Sequence, residues 1–249
     1  MRLANKRVMV TGAASGIGHA VVLKLREEGA EAIAADIAFP PGSTDLAALN
    51  LDVTDPASWE RAMEHAAPLD ALVACAGISD ARPIASTGLS DWRRVMAVNL
   101  DAAFLSVKYA AQAIPASGTG SIVLIGSASG VKAVAQAAAY CSSKAGMRML
   151  VKVAALELKP RGIRVNCISP AGVVTPMWQK MPFWDLLVQQ HGGEQAAWDA
   201  LGGADPDKPS IQRMAFPEEI AAVVVFLCGS DAAHITGADL AVDGGYTAS

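Results

Sequence analysis

The chain has 249 residues, of which 52% are hydrophobic and 18% charged, and its net charge is −4 at pH 7. This balance suits a well-buried sheet and provides no basic surface for nucleic acid or an anionic membrane. No apolar run approaches the roughly 18 residues that a membrane-spanning helix needs, and the first residues lack a secretory signal, so we expect a small-molecule function.

Cysteine and histidine usage gives no sign of a metal centre or a disulfide framework. The four cysteines never form a Cys-x-x-Cys pair, and the four histidines show no metal-ligand spacing. We expect buried free thiols in a reducing, cytoplasmic location, and chemistry that uses no metal.

Short apolar runs alternate along the chain with longer segments of helical period. The first half predicts, in order, the strand "RVMVTG", the helix "IGHAVVLKLREEGA", the strand "EAIAAD", the helix "DPASWERAMEHA", the strand "LDALVACAG" and the long helix "LSDWRRVMAVNLDAAFLSVKYAAQAI". Asp55 as N-cap and Pro56 at the first helical position mark the start of the second helix.

The second half continues the alternation. It predicts the strand "GSIVLIGS", the helix "YCSSKAGMRMLVKVAALELKP" ending at Pro160, the strand "IRVNCIS", the helix "PEEIAAVVVFLCG" and a last strand around "ADLAVDGG". Without a linker or repeat, this order predicts right-handed βαβ crossovers and a parallel α/β sheet covered on both faces.

One region, residues 176–213, departs from the alternation. Two Gly-Gly pairs and several prolines interrupt it, yet it is rich in aromatic and methionine side chains. Long insertions of this kind are often lids, so we predict a substrate-binding lid with an apolar pocket. Its candidate substrate residues are Met177, Trp178, Met181 and Trp184, with Phe183 beside them. For any one of them, a place in the core or at a subunit contact is an equal alternative.

The segment "TGAASGIG", from Thr11 to Gly18, follows the first strand and opens the first helix. Its glycines are Gly12, Gly16 and Gly18, a spacing unlike Gly-x-Gly-x-x-Gly. Small residues let the backbone approach a pyrophosphate, and the helix N-terminus presents free N–H groups. We interpret the segment as a phosphate-binding turn; the alternative is a plain strand–helix turn.

Two acidic residues are candidates for the nucleoside part of a cofactor. Asp36 closes the second strand, where a carboxylate can bind ribose hydroxyls and repel a 2′-phosphate. No Arg or Lys follows in "IAFPPGSTD", which favours NAD over NADP. Asp52, in "LDV", could reach the adenine amino group, although that signal is weak alone.

Tyr140 and Lys144, in "AYCSSKAG", lie four residues apart. Residues at i and i+4 share a helix face, so the lysine ammonium can stand near the phenol. A free tyrosine has a pKa of about 10 and is a poor base, but a neighbouring positive charge favours phenolate. Alone, the pair is more often a surface pair. Cys141 between them is interpreted as a small buried residue and not as a nucleophile.

Together these features resemble the short-chain dehydrogenase/reductase family, in its compact single-domain form, over essentially the whole chain. The family motif Thr-Gly-x-x-x-Gly-x-Gly is met at Thr11–Gly18, and Tyr-x-x-x-Lys at Tyr140 and Lys144. A serine, Ser127, stands 13 residues before the tyrosine, and the long middle helix carries Asn99. The segments "RVNCISP", "VVTP", "PEEIA" and "ITGADLAVDGG" match later family motifs.

The resemblance implies a fold and a set of roles. The fold is a Rossmann-type, doubly wound, mostly seven-stranded parallel sheet with helices on both faces, spanning residues 1–249 as one domain. Ser127 would bind the substrate oxygen, Tyr140 would act as general acid/base, Lys144 would also bind the nicotinamide ribose, and Asn99 would order a water. The implied cofactor-binding residues are Gly12, Ser15, Gly16, Ile17, Gly18, Asp36, Ile37, Asp52, Val53, Ala74, Ala76, Gly77, Tyr140, Lys144, Pro170, Val173 and Thr175.

The chain departs from the family pattern at three places. Asn-Asn-Ala-Gly is replaced by Ala74–Gly77, which loses side-chain amides that brace the strands. Pro-Gly becomes Pro170-Ala171, with Gly172 one place later, and Gly126 stands where a first serine is common. None of these changes removes a catalytic atom.

We therefore expect an NAD-dependent oxidoreductase that interconverts a secondary alcohol and a ketone. A 3-oxoacyl-thioester reductase and a polyol or sugar dehydrogenase are alternatives, and a non-catalytic NAD-binding regulator is an alternative from another class. The resemblance also implies a homotetramer or homodimer, formed through the two long middle helices and the C-terminal strand.

Overall fold

The computed structural model describes residues 1–40, 47–116 and 118–248. In these residues seven strands form one sheet, in the order β3-β2-β1-β4-β5-β6-β7, and every neighbouring pair is parallel. The strands are β1 (Arg7–Thr11), β2 (Glu31–Asp36), β3 (Ala47–Asn50), β4 (Ala71–Ala74), β5 (Gly120–Ile125), β6 (Ile163–Pro170) and β7 (Asp239–Val242). The predicted α/β sheet is confirmed.

The order of the strands creates a crevice beside β1. From β1 the chain builds outward through β2 to β3, then returns to β4 on the other side of β1 and continues to β7. Ligands of open α/β sheets bind at the carboxyl ends of the strands where this reversal occurs. Thr11 and Ala74, which pair across β1 and β4, end their strands at that point.

The helices cover both faces of the sheet. They are α1 (Gly16–Glu27), α2 (Pro56–Ala66), α3 (Leu89–Met96), α4 (Ala102–Ala113), α5 (Ala138–Leu158), α6 (Pro176–Gln179), α7 (Trp184–His191), α8 (Glu194–Ala200) and α9 (Pro217–Cys228). The predicted start of α2 is confirmed, because the Asp55 carboxylate accepts hydrogen bonds from the amides of Ala57 and Ser58.

Each face of the sheet carries its own apolar core. Met9 of β1 packs into a core that includes Trp59 of α2 and Tyr109 of α4, whose rings stack with centroids 5.5 Å apart. Val8 and Val10, which point the other way, pack into a core built with α1 and α9. A strand buried on both faces explains why "VMV" shows no polar alternation.

The long middle helix predicted from the sequence is not α-helical throughout. Ala97–Asp101 forms a π-helical segment between α3 and α4. Such segments insert one extra residue per turn and are frequent at functional sites. Here the segment contains Asn99, which is 1% exposed.

The predicted lid region has secondary structure of its own. Three short helices, α6 to α8, are followed by a 3-10 turn at Ser210–Gln212. Among the described residues, no helix is both long and apolar enough to cross a membrane.

Candidate active site

The glycine turn after β1 leaves no room for side chains. A Cβ on Gly18 would stand 2.1 Å from the Gly12 carbonyl oxygen, and one on Gly12, whose φ is +66°, would stand 2.7 Å from the Cα of Ala76. The turn therefore packs its backbone directly against the residues that follow β4.

Helix α1 begins in this turn in a form suited to an anion. Ser15 is extended and forms no side-chain cap, and the first turn from Gly16 through Ile17 contains no acidic residue. The first N–H groups of the helix thus remain available for phosphate oxygens. The tight glycine packing and the uncapped N-terminus together fit a bound dinucleotide.

Thr11 braces the crevice from below. Its hydroxyl oxygen accepts hydrogen bonds from the amides of Cys75 and Ala76, at 3.1 and 3.3 Å. These contacts join β1 to the segment Ala74–Gly77, where the chain lacks the family's asparagine amides. The sequence identified Thr11 as part of the turn but gave no signal for this role.

Asp36 stands beside the glycine turn, at the end of β2. One carboxylate oxygen accepts from the Ala14 amide at 2.9 Å and the other from the Ile37 amide at 2.7 Å. A carboxylate has about four acceptor positions, so these bonds leave capacity for ribose hydroxyls. Asp36 is partly exposed, and the Ile37 side chain is 63% exposed next to it.

The residues after β3 are held by local contacts. The Asp52 carboxylate accepts from both the amide and the hydroxyl of Thr54, at 2.9 and 2.7 Å. Val53 is buried, and its carbonyl accepts from the indole of Trp59. An adenine contact by Asp52 stays a prediction.

Tyr140 and Lys144 lie on the first two turns of α5. The lysine is 4% exposed, and its Nζ lies 5.7 Å from the centroid of the Tyr140 ring. Nζ donates to the Ile125 carbonyl at the end of β5, at 2.7 Å. An ammonium has three donors, so two remain for other partners. The expected proximity of the pair is present.

Asn99 connects the segment after β4 to α5. Its side-chain amide bonds both the N–H and the C=O of Ile78, each at 2.9 Å, and donates to the Ser143 hydroxyl at 3.1 Å. Ser143 in turn donates to the Tyr140 carbonyl at 2.7 Å. The sequence did not single out Ser143; its position one residue before Lys144 was the only available signal.

Gly77 is the point on which these side chains converge. A Cβ there would stand 3.4 Å from the Asn99 amide oxygen and 3.7 Å from Lys144 Nζ. The site therefore brings together Asn99, Lys144 and the carboxyl end of β4.

Ser127 follows β5 and is 7% exposed. Its hydroxyl accepts from the Ser129 amide at 3.1 Å and caps the 3-10 turn Ala128–Gly130. Because a hydroxyl also carries one proton to donate, Ser127 can bind an oxygen atom. The neighbouring departure from the family pattern has a steric cause, since a Cβ on Gly126 would stand 2.6 Å from the sulfur of Cys167.

The residues after β6 close one side of the crevice. Pro170 is the last residue of β6, and Val173 is buried and forms a parallel bridge with Ala215. Thr175 reaches the glycine turn, because a Cβ on Gly16 would stand 3.2 Å from its methyl group. Thr175 thus borders the glycine turn, and cofactor contacts by Pro170 and Val173 stay predictions.

The four lid residues predicted to bind substrate have different environments. Trp184 is buried in a small core within the lid, with its ring centroid 4.8 Å from that of Trp198. Trp178 packs against this core and donates to the Val173 carbonyl at 3.0 Å. Met177 is 37% exposed and Met181 is partly buried. Substrate contacts by these residues stay predictions.

Two cysteines are less buried than the sequence predicted. Cys75 and Cys141 are partly exposed, the latter because the loop before α5 is itself exposed. Cys167 and Cys228 are buried, and burial raises the pKa of each thiol to about 12. In the described part of the chain, no group of three or more His, Cys, Asp or Glu residues could hold a metal ion.

Known proteins of similar sequence and structure are dehydrogenases. A family model described as "Enoyl-(Acyl carrier protein) reductase" matches residues 12–247. The chain is 38% identical to D-threitol dehydrogenase of Mycolicibacterium smegmatis, over 99% of this chain and 94% of that protein. It is 36% identical to 2,5-dichloro-2,5-cyclohexadiene-1,4-diol dehydrogenase of Sphingobium indicum, over 99% and 98%.

A solved dehydrogenase structure has a similar fold. The ligand-free aldohexose dehydrogenase of Thermoplasma acidophilum superposes with a TM-score of 0.88 at 31% sequence identity, covering 99% of this chain and 96% of that one.

Proposed function

The chain belongs to the short-chain dehydrogenase/reductase family, and from this membership we propose that it is an NAD-dependent oxidoreductase that interconverts a secondary alcohol and a ketone. The family relationship makes it an enzyme of CH–OH groups. The single observation that carries the proposed mechanism is the convergence of Asn99 and Lys144 on Gly77, with Tyr140 one helical turn before Lys144.

The residues fit a nicotinamide cofactor. In the glycine turn, backbone packs against backbone at Gly12 and Gly18, the N-terminus of α1 has no side-chain cap, and Lys144 has two ammonium donors for the ribose hydroxyls. A nicotinamide bound there would supply the hydride acceptor for oxidation of the alcohol and the hydride donor for reduction of the ketone.

We assign the proton to Tyr140. In the oxidative direction its phenolate takes the hydroxyl proton of the alcohol, and in reduction the phenol returns it. Ser127 donates to the same substrate oxygen and holds it between the two side chains. The buried ammonium of Lys144 places a positive charge 5.7 Å from the centroid of the Tyr140 ring.

Asn99 has the supporting role in this scheme. Its amide fixes the backbone of Ile78 and, through Ser143, the first turn of α5. We propose that it also orders a water that connects Lys144 to solvent.

Asp36 supports NAD as the cofactor. Its carboxylate stands at the end of β2, beside the glycine turn, and the next residues in the described chain, Ile37 to Pro40, carry no positive charge. A 2′-phosphate would meet a negative charge without a compensating base.

The proposed substrate is a mainly apolar secondary alcohol of small or medium size. The methionines of the lid, partly exposed at Met177 and partly buried at Met181, support this choice. The description of the matching family model favours a thioester substrate as the second candidate, and the similarity to D-threitol dehydrogenase favours a polyol as the third.

A homotetramer or homodimer in the cytoplasm is proposed. An apolar stripe on α5, formed by Met149, Val153 and Leu156, is exposed, and so is Phe104 of α4. Exposed apolar patches of this kind mark subunit contacts. The free cysteines support a reducing compartment.

A panel assay tests the proposed function. NADH formation at 340 nm would be followed with NAD or NADP and with cyclohexanol, cis-4-hydroxycyclohexanecarboxylate, D-threitol and 3-hydroxybutyryl-CoA. The proposal expects turnover of at least one cyclic alcohol, with NAD preferred. Binding of NADH without turnover of any panel member would instead support a non-catalytic NAD-binding protein.

A further inference from the structure

The chemistry proposed above requires two separate elements to be held at a fixed distance from each other. Ser127 belongs to the turn after β5, whereas Tyr140 and Lys144 belong to α5. A misplacement of about 1 Å between reacting groups can cost about a hundredfold in rate. Some contact must therefore fix the serine turn against the helix.

Part of that contact is backbone packing. A Cβ on Gly130, the last residue of the serine turn, would stand 2.9 Å from the carbonyl carbon of Lys144. The Gly130 amide bonds back to the Ser127 carbonyl at 2.9 Å. The packing of Gly130 against α5 therefore also fixes the position of Ser127.

Arg148 lies one turn beyond Lys144 on α5 and makes two contacts with one guanidinium. Its Nη1 donates to the Gly130 carbonyl at 3.3 Å, and its Nε donates to the carboxylate of Asp239 at the start of β7. The other Asp239 oxygen accepts from the Ser169 hydroxyl at 2.5 Å. The Asp239 side chain is 11% exposed.

Through Ser169, the Asp239 contact extends to β6, the strand beside β5, which Ser127 follows. Ser169 is the residue before Pro170 in β6, and a Cβ on Gly126 would stand 2.9 Å from its hydroxyl oxygen. Arg148 thus joins α5 both to the serine turn and to the sheet that supports it.

We propose that Arg148, held by Asp239, is a positioning residue that sets the distance between Ser127 and Tyr140. The proposal rests on the proposed function, since it acts through the residues assigned there. The planar guanidinium is essential to it, because two different nitrogens, Nε and Nη1, donate to the carboxylate and to the Gly130 carbonyl, and a single ammonium nitrogen cannot occupy both positions.

The variant that tests this role is Arg148→Lys. A lysine keeps the charge pair with Asp239 but cannot also donate to Gly130 in the same plane. We expect kcat per NADH-binding site to fall about 10- to 100-fold, with the Kd for NADH and the KM for the alcohol within threefold of the wild type. A merely structural role would lower Tm and the fraction of active protein but leave kcat per site unchanged.

Arg164→Lys is the matched control. Arg164 is also partly buried and donates to two backbone carbonyls, those of Leu227 and Gly229 at the end of α9, away from the site. We expect Arg164→Lys to lower Tm with kcat per site within twofold of the wild type.

Asp239→Asn is the second variant. The amide oxygen can still accept from Ser169, but the amide nitrogen would face the guanidinium, donor against donor. We expect the same loss of kcat, with no further loss in the double variant Arg148→Lys/Asp239→Asn, because both changes break one linkage. If Arg148→Lys fails to bind NADH, the kcat per site of Asp239→Asn is compared with that of Arg164→Lys instead.

The fastest alcohol of the cyclohexanol, hydroxycyclohexanecarboxylate, D-threitol and 3-hydroxybutyryl-CoA panel serves as substrate. An Arg148→Lys enzyme with kcat per site equal to that of Arg164→Lys overturns the proposal. Tyr140→Phe, assayed in parallel, distinguishes failure of the proposed function from failure of the Arg148 proposal. Full activity in Tyr140→Phe contradicts the proposed function itself, whatever the result with Arg148→Lys.

Discussion

The carboxylate of Asp36 accepts a hydrogen bond from the Ala14 amide, at 2.9 Å, and so joins the end of β2 to the glycine turn. The residue proposed to select the cofactor is therefore also a brace for the loop that holds its phosphates. A change at Asp36 alters both functions, and the two can be separated by the choice of substitution.

Asp36→Asn keeps an acceptor for Ala14 but removes the negative charge. We expect kcat/KM with NAD to fall about tenfold, because a charge-assisted bond to ribose becomes neutral, and the ratio of NADP to NAD activity to rise. Asp36→Arg should raise that ratio further but also lower Tm, since the brace is lost. Initial rates with both cofactors check this, and an unchanged ratio in both variants would place cofactor selection elsewhere.

Thr11→Val tests the brace under the crevice. Valine has nearly the shape of threonine but leaves the amides of Cys75 and Ala76 without their acceptor. An unmet buried amide costs about 1–3 kcal/mol, so urea unfolding should give a free energy of unfolding lower by about that amount. Thr11→Ser keeps the hydroxyl and is the control; a Thr11→Val variant as stable as the wild type, or less affected than Thr11→Ser, would show that the hydroxyl oxygen is not the stabilising group.

The lid is fastened at its C-terminal end by a pH-dependent contact. The Nη1 and Nη2 atoms of Arg213 donate to the Glu219 carboxylate, at 2.8 and 3.2 Å, and these bonds lower the pKa of Glu219 to about 2. A carboxyl whose pKa is lower in the folded state stabilises the fold above its unfolded value, about 4.3, and this contribution is lost as the pH falls toward 2.

Glu219→Gln should therefore lower Tm at pH 7, and the difference in Tm from the wild type should shrink as the pH falls from about 4.3 toward 2. Thermal scans of wild type and variant across this range measure how the difference in Tm between them changes with pH. Glu218→Gln, at an exposed neighbour on the same helix, is expected to leave the curve unchanged. A gap that stays constant with pH would show that the Arg213 contact does not depend on ionisation.

The exposed stripe on α5 gives a prediction about assembly. Leu156→Glu places a charge in the proposed interface, where Leu156 is 75% exposed in the single chain, and burying that charge would be costly. Light scattering after gel filtration should find the wild type as a tetramer or dimer and the variant shifted toward the monomer. Leu23→Glu, at a 45% exposed leucine on α1, should not change the mass.

The sequence predicted the regular elements because their signals are local. Apolar runs identified β1, β2 and β4 to β7, and Asp55 with Pro56 identified the start of α2. The i, i+4 spacing also predicted that Lys144 would stand near Tyr140, since helix geometry alone decides it.

What the sequence could not predict depends on contacts between distant segments. The Asn99 side chain, in the π-helical segment, bonds the backbone of Ile78. No local sequence pattern distinguishes that segment from an α-helix. Arg148 meets Asp239 only because α5 crosses the sheet beside β7. The contact between Trp184 and Trp198 joins two separate helices of the lid, α7 and α8, and no local pattern pairs them.

The central claim is that Tyr140 transfers the proton, and Tyr140→Phe tests it most directly. The variant removes one hydroxyl from a partly exposed ring and should bind NADH as the wild type does. We expect kcat to fall by about 10²–10⁴-fold, while Tyr246→Phe, at the 44% exposed tyrosine near the C-terminus, keeps full activity. A Tyr140→Phe enzyme that binds NADH and oxidises the panel alcohol at the wild-type rate would contradict the account.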